Sequence, residues 1–172
     1  MDLTKIEFKG NKRYLSNMYN VEILMSDSLK SRYPMFLFDN KKYKSSEHLY
    51  QSLKSTSKEY RNNIRSLKEA EQAKTFSKKL LKENNTLLDD SEIFLLREDW
   101  EDVKLEAMRL SIELKFSQNK TLLNQLLQTK NEHLEERNDW GDFFWGTVDG
   151  VGENNLGIIL METRNYYLNL IK

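Results

Sequence analysis

The stretch SSEHLYQSLK, residues 45–54, places three polar side chains at spacings that suit one face of a helix. Glu47, Gln51 and Lys54 are separated by four and three residues, so at about 100° per residue they fall within about 60° of one another. A carboxylate and an amine on one face can move protons, and a lysine amine can also act as a nucleophile. The same residues also suit a solvated face, because an acid in the first turn favours the helix dipole and a preceding serine can cap the helix.

A second group of candidate residues lies in the segment DWGDFFWG, residues 139–146. Asp139 and Asp142 stand among four aromatic residues. A carboxylate flanked by aromatic rings can have a raised pKa through desolvation, which suits acid or base chemistry, and the rings can stack on a base. The pattern also fits core aromatics with aspartates that cap turns.

Five of the six glycines lie between Gly141 and Gly157, directly before a predicted terminal helix. Glycine permits positive φ angles, so the cluster predicts a tightly turning loop. The free N–H groups of the following helix can hold an anion, although a plain connecting turn fits equally well. The spacing matches neither a dinucleotide-binding fingerprint nor a P-loop.

Two further polar elements are candidates for substrate contact. Arg97 lies in LREDW and is long enough to reach a phosphate or a carboxylate. It stands beside the apolar stripe of the helix predicted over residues 92–116, which consists of Ile93, Leu96, Trp100, Val103, Ala107, Leu110 and Leu114. Ser16 and Asn17 form a polar turn in RYLSNMY. His48 points about 100° away from Glu47 on a helix and HExxH is absent, so we predict no metal site and a hydrogen-bonded structural role for His48.

The pattern of apolar residues predicts an α+β fold, a single compact and mostly helical domain over residues 1–172 with a small sheet from the N-terminal third. Strands are predicted at KIEF, VEILM and MFLF within the first 45 residues, and a brief one at HLEER. The predicted helices cover about residues 46–56, 58–66, 68–81, 92–116, 119–129 and 154–170.

Composition limits the classes of function. Lys plus Arg and Asp plus Glu each number 27 in 172 residues, and this zero net charge argues against a protein that coats nucleic acid. The absence of cysteine excludes disulfides and thiolate metal sites. With no signal-peptide pattern and no long apolar run, we expect a cytoplasmic protein without a membrane partner.

In their order along the chain, from Phe8 to Arg164, these blocks resemble the NADAR family, which includes the YbiA-like N-glycosidases. The blocks EHxxQxxK, WG and GxGxNxLGxxLMxxR carry the resemblance as a set. It implies hydrolysis of a ribose C1–nitrogen bond without a cofactor. The substrate would be ADP-ribosylated guanine in DNA or RNA, which we expect first, or a ribosylamino-pyrimidine phosphate of riboflavin synthesis.

The resemblance also implies a biological setting and leaves alternatives open. An enzyme that removes ADP-ribose from guanine would be paired with an ADP-ribosylating toxin. One alternative is a non-catalytic module that binds ADP-ribose or a nucleotide. Another is a helical partner-binding protein, which would leave the DFFWG segment unexplained.

The family motif assigns roles to individual residues. Glu47 would be the carboxylate that stabilises charge at C1, and Lys54 would hold phosphate or form a Schiff base with the sugar. Asp142 would be the second acidic group, although Asp139 is near enough in sequence to take its place. The substrate-binding residues would be Ser16, Asn17, Gln51, Arg97, Trp145, Gly150, Gly152 and Asn154.

Overall fold

The computed structural model describes residues 5–80 and 94–170 of the chain. These residues form six α-helices and four short strands, with three 3-10 segments between them. The helices are α1 (Ser46–Ser52), α2 (Lys58–Ser66), α3 (Ala70–Phe76), α4 (Trp100–Ser117), α5 (Lys120–Gln128) and α6 (Asn155–Leu170). The strands are β1 (Lys5–Glu7), β2 (Ile23–Leu24), β3 (Lys42–Tyr43) and β4 (His133–Glu135), and the 3-10 segments are Gly10–Leu15, Asp27–Leu29 and Ser77–Lys79.

The predicted α+β class with mostly helical content is confirmed. The sheets differ in detail from the prediction. β2 and β3 pair antiparallel within the N-terminal third, where a small sheet was predicted, although no strand was predicted at β3. β1 instead pairs in parallel with β4, more than 120 residues further along the chain, in the register Ile6 to Leu134. The HLEER segment therefore supplies a partner that the N-terminal third lacks.

The long helix is shorter than predicted, because α4 begins at Trp100 rather than near residue 92. Residues 94–99 form a loop in which the Arg97 N–H donates to the carbonyl oxygen of Lys54 over 2.9 Å. This bond takes Arg97 out of the helical hydrogen-bond pattern. Leu96 therefore belongs to the loop. Ile93, the first residue of the predicted stripe, and Leu81, the end of the predicted third helix, lie outside the described residues.

The segment MFLF, residues 35–38, is not a strand, so that prediction is wrong. Two of its carbonyl oxygens accept hydrogen bonds from arginine side chains instead of from a neighbouring strand. Arg97 donates to Met35 over 3.1 Å, and Arg61 donates to Leu37 over 2.8 Å. Within this segment only Phe36 is buried, and composition could not show which donors would bind the backbone.

The chain divides into two compact units, and each is described by itself. The first contains residues 1–19 and 116–172, with β1, β4, α5 and α6. Its buried residues include Ile6, Leu126, Leu134, Leu156 and Leu160. The prediction of one domain over residues 1–172 stays a prediction.

The second unit covers residues 20–115 and holds α1, α2, α3 and most of α4. One cluster of its core combines Tyr60, Ile64, Ala73 and Phe94, with Phe76 packed against it. Among residues 5–80 and 94–170, no helix is both long and apolar enough to cross a membrane.

Candidate functional site

Helix α1 carries the first group of candidate residues, and it is buried along its whole length. The helix begins after Ser45, whose Oγ accepts a hydrogen bond from the His48 N–H over 3.2 Å. Glu47 follows in the first turn, where the helix dipole favours a negative charge. Glu47 and Gln51 each keep only 3% of their surface exposed. The alternative of a solvated face is therefore wrong for these two residues.

Glu47 and Gln51 are joined directly. The Gln51 Nε2 donates to the Glu47 Oε1 over 2.6 Å, as expected for residues one helical turn apart. The Gln51 Oε1 is buried and has no hydrogen-bond partner within the described part of the chain. Gln51 therefore fixes the orientation of the carboxylate and leaves a buried acceptor unused.

Lys54 lies just beyond the end of α1 and is half-buried. Its Nζ lies 5.6 Å from the ring centroid of Tyr50 and 5.6 Å from that of Trp100. The two rings are 5.3 Å apart and inclined at 56°. The ammonium group is thus bordered by two aromatic rings, one from α1 and one from the first residue of α4.

The pKa of Lys54 is lowered, and the main cause is burial, which removes water from the ammonium group. The positive charge of Lys74 also lowers this pKa, while the negative charges of Glu47 and Glu101 raise it. Burial outweighs the two carboxylates. Lys54 is therefore a neutral amine more often than an exposed lysine at the same pH, as a nucleophilic lysine requires.

Arg97, a predicted substrate contact, is already bound within its own unit. Its Nε and Nη2 donate to the two carboxylate oxygens of Asp99 over 2.5 and 2.8 Å. Its guanidinium also lies 5.1 Å from the ring centroid of Phe36. It lines a cavity of about 620 Å³ together with residues that include Ser55 and Ser57. A phosphate at Arg97 would have to compete with Asp99.

His48 has the hydrogen-bonded role that the sequence indicated. Its Nδ1 lies 2.8 Å from the Ser45 Oγ, the same atom that caps α1. Burial lowers the pKa of His48, so the neutral ring is favoured. His48 therefore holds the start of the helix, and its burial disfavours a positive charge beside Glu47.

In the other unit, Asp142 organises the aromatic loop. Its Oδ1 accepts hydrogen bonds from the N–H groups of Phe144 and Trp145 over 3.2 and 2.8 Å. Asn138 holds the main chain of Asp142 from both sides, over 2.9 and 2.8 Å. Trp145 is half-buried with Phe144 edge-on at 4.9 Å, whereas Asp139 is exposed. At least one oxygen of Asp142 therefore has a structural use.

The glycine-rich part of the loop turns tightly. Gly150, Gly152 and Asn154 have φ angles of 79°, 144° and 53°. A Cβ at Gly152 would lie 2.3 Å from the carbonyl oxygen of Gly146, because two parts of the loop backbone are in close contact there. At Gly150 nothing lies within 4 Å of such an atom. Close packing therefore requires glycine at position 152 but not at position 150, and it also requires Gly146 and Gly157, where a Cβ would lie 2.0 and 2.2 Å from a carbonyl oxygen.

Two N–H groups at the start of α6 are already hydrogen-bonded within their own unit. The N–H groups of Asn155 and Leu156 donate to the carbonyl oxygens of Phe144 and Trp145 over 3.2 and 3.1 Å. The Asn154 side chain binds β4, donating to the Leu134 carbonyl over 2.9 Å and accepting from the Glu136 N–H over 3.0 Å. The anion site at this terminus stays a prediction, and an anion that used these two donors would have to displace their bonds to the loop carbonyls.

Ser16 and Asn17 occupy the end of the first 3-10 segment. The Ser16 Oγ accepts from the Met18 N–H over 3.2 Å, so it shapes the predicted polar turn. Asn17 is buried, with 8% of its surface exposed. Ser16 therefore stabilises a turn, and Asn17 is packed within the first unit.

Sequence reasoning missed the role of Trp100 at Lys54. Its spacing placed it in the apolar stripe of a helix, and a tryptophan that packs in a core looks the same in sequence as one that faces a lysine. Lys115, on the same helix, is fully buried and was also missed. No feature of the sequence around Lys115 indicates burial.

A buried carboxylate held by an amide, near an amine with a lowered pKa, is an arrangement typical of enzyme sites. Comparison with known proteins places the chain in a family. A sequence model of the NADAR domain matches residues 7–167, so the chain belongs to the NADAR family.

Curated relatives fall into two groups. The N-glycosidase YbiA of Escherichia coli is 33% identical over 127 residues, which cover 73% of this chain and 71% of that protein. A riboflavin biosynthesis protein of Vibrio vulnificus is 32% identical over 155 residues, covering 90% of this chain. The chain spans only 35% of that longer protein.

A solved structure resembles the chain as well. The NMR structure of the Escherichia coli protein YbiA aligns with a TM-score of 0.72 at 28% identity. The alignment covers 98% of this chain and 87% of that one. The similarity in fold therefore accompanies the similarity in sequence.

Proposed function

We propose that this protein is an N-glycosidase that hydrolyses the bond between ribose C1 and a base nitrogen. The observation that carries the proposal is the buried Glu47, oriented by Gln51, on the same short segment as an amine whose pKa is lowered. Membership of the NADAR family and the name of the YbiA relatives agree with this chemistry. A plain binding module would not need both groups.

In the proposed reaction, the C1–nitrogen bond breaks and its electron pair leaves with the base nitrogen, which takes up a proton. Positive charge develops at C1 and the ring oxygen of the ribose. The Glu47 carboxylate stabilises this charge, and its burial strengthens the effect because little water screens it. The oxygen of a water molecule then bonds to C1, and the water gives up one proton.

Lys54 is proposed as a second catalytic group. Its neutral amine attacks C1 and displaces the base, and the C1–ring oxygen bond then opens with a proton going to that oxygen. The product is a Schiff base between Nζ and C1, which water hydrolyses to free sugar and amine. A charge role without a covalent bond is the alternative, and borohydride distinguishes the two because it reduces a Schiff base to a stable adduct.

The substrate proposed first is ADP-ribosylated guanine in nucleic acid, as the family resemblance implies. A ribosylamino-pyrimidine phosphate is the second candidate, because the Vibrio relative matched over 90% of this chain is named a riboflavin biosynthesis protein. Both contain a ribose C1–nitrogen bond with phosphate nearby.

The test offers both substrates to the purified protein and follows released base and sugar. We expect the Glu47→Gln variant to lose at least about 100-fold in turnover, the scale of a positioned acid–base group. The substitution keeps an oxygen that can accept from Gln51, so folding is retained. Glu59→Gln is the matched control, since Glu59 has the same first-turn position on α2 but is exposed.

Unchanged turnover in a folded Glu47→Gln variant would show that another carboxylate acts. Binding of either substrate without turnover by the wild-type protein would instead favour a module that recognises ADP-ribose or a nucleotide. The substrate that is turned over faster identifies the leaving base.

A further inference from the structure

The position of the Lys54 ammonium between two rings is more specific than burial alone requires. The Nζ is equally distant from the Tyr50 and Trp100 centroids, at 5.6 Å each. Both distances are within the range of about 6 Å in which a cation is attracted to a ring face. An aliphatic pair would bury the lysine equally well but would not attract its charged end.

A second lysine in the same unit provides a comparison. The Nζ of Lys79 lies 5.1 Å from the Phe76 centroid, but Lys79 is exposed and one ring borders it. Such exposed pairs contribute little and leave the side chain free to rotate in solvent. Lys54 has two rings on different helices, and its carbonyl oxygen is also held by the Arg97 N–H.

We infer that Tyr50 and Trp100 are positioning residues that hold the Lys54 Nζ in place for reaction. The inference rests on the proposed function for its effect on turnover, while the position of the amine can be tested without any substrate. A lysine has four rotatable side-chain bonds, and fixing its end in advance lowers the entropy lost on reaching the reacting geometry.

The rings act on the charge as well as on the position. Burial favours the neutral amine, whereas the ring faces favour the ammonium form. The charged groups that act on Lys54 from the surrounding helices are Glu47 on α1, Lys74 on α3 and Glu101 on α4. A Trp100→Leu substitution keeps an apolar side chain and all three charges but removes one ring face. Loss of the ring face lowers the pKa of Lys54, whereas the smaller side chain buries the amine less and raises it, so the inference is tested by the position of the amine and not by its pKa.

The position of the amine is measured by NMR on protein carrying ¹³C at the Cε of its lysines, with the Lys54 signal identified by its loss in Lys54→Arg. In the wild type, ring currents should shift this signal away from those of exposed lysines. In Trp100→Leu it should move toward them, while Trp100→Phe should restore part of the ring-current shift. A Lys54 signal unmoved in Trp100→Leu would overturn the inference.

Phe76→Leu is the matched control. It removes an aromatic ring of the same unit that borders Lys79 rather than Lys54. Urea unfolding of both leucine variants measures how much stability each loses. We expect Phe76→Leu to leave the Lys54 signal in place, and a shift as large as in Trp100→Leu would show a general loss of packing and contradict the inference.

Turnover gives an independent readout. Misplacing a catalytic group by about 1 Å can cost up to about 100-fold, so we expect Trp100→Leu to lower kcat about tenfold and to reduce borohydride trapping, with KM nearly unchanged. A raised KM at constant kcat would mean that Trp100 binds substrate, contrary to the inference. If the wild type turns over neither substrate, the proposed function fails while the NMR result still decides the role of the rings.

Discussion

The α1 segment and the loop of residues 139–154 both carry polar residues that the family motif marks, but the two regions use them differently. In the α1 segment, the Gln51 amide orients the Glu47 carboxylate and two rings border the Lys54 amine. In the loop, Asp142 and Asn154 bind main-chain groups of their own unit. The loop side chains thus hold the main chain in place, whereas Glu47 and Lys54 in the α1 segment are charged groups that are buried or half-buried.

The difference shows that the residues of one family motif can stabilise the fold as well as take part in chemistry. Burying charged groups is costly unless a function or a partner compensates, so Glu47 and Lys54 are the stronger catalytic candidates. Asp142 remains a prediction for the second acidic group, because capping by one oxygen does not occupy the whole carboxylate. Three substitutions sharpen or break the comparison.

The largest effect is expected for Lys54→Met, which keeps much of the apolar stem and removes the amine. Turnover should fall about 1,000-fold, within the range for a lost catalytic proton-transfer group, and borohydride trapping should disappear. Lys79→Met is the control, because Lys79 also lies over a ring but is exposed. Full activity in Lys54→Met would show that turnover does not need the Lys54 amine, so this residue would no longer distinguish the α1 segment from the loop.

A smaller loss, about 100-fold, is expected for Asp142→Asn if Asp142 supplies an acid or base. The asparagine oxygen can still accept from the Phe144 and Trp145 N–H groups, so the measurement separates charge from capping. Asp139→Asn, at the neighbouring exposed aspartate, should change turnover less than about twofold, as expected for a surface carboxylate outside the reaction. Equal activity in Asp142→Asn and wild type would make the loop purely structural, and a loss confined to Asp139→Asn would exchange the two roles.

The smallest effect concerns stability within the loop. Gly152→Ala should lower the free energy of unfolding by about 2 kcal/mol more than Gly150→Ala. Both substitutions place a side chain at positive φ, but only at Gly152 does the Cβ meet a carbonyl oxygen, at 2.3 Å. Urea unfolding of the two variants gives the difference directly. Equal losses would show that the loop relaxes around the added methyl group.

Much of the fold could be predicted because the spacing of apolar residues along the chain indicates which face of a helix is buried. Helix α2 was predicted with both ends correct, and α5 and α6 within one residue. The start of α4 was not, because the bond from Arg97 to the Lys54 carbonyl joins residues 43 positions apart. The pairing of β1 with β4 escaped prediction for the same reason, since a three-residue strand does not indicate its partner.

The candidate site was predictable in part. The spacing of Glu47, Gln51 and Lys54 indicated a shared face, and the bond between Glu47 and Gln51 agrees with it. The spacing could not show that α1 is buried on all sides or that Trp100 faces Lys54. It also could not reveal that Asn154 binds β4, because an asparagine after a glycine loop suits a ligand and a strand equally well.

The pairing of β1 with β4 has a consequence for synthesis on the ribosome. Residues 20–115 form one continuous unit, whereas β1 must wait until His133 to Glu135 have been made before it has a strand partner. At about 5–20 residues per second, this delay lasts roughly 6–25 s. A nascent chain that stalls before residue 133 would therefore expose an unpaired strand edge at its N-terminal end, a template for misassembly that the finished protein conceals.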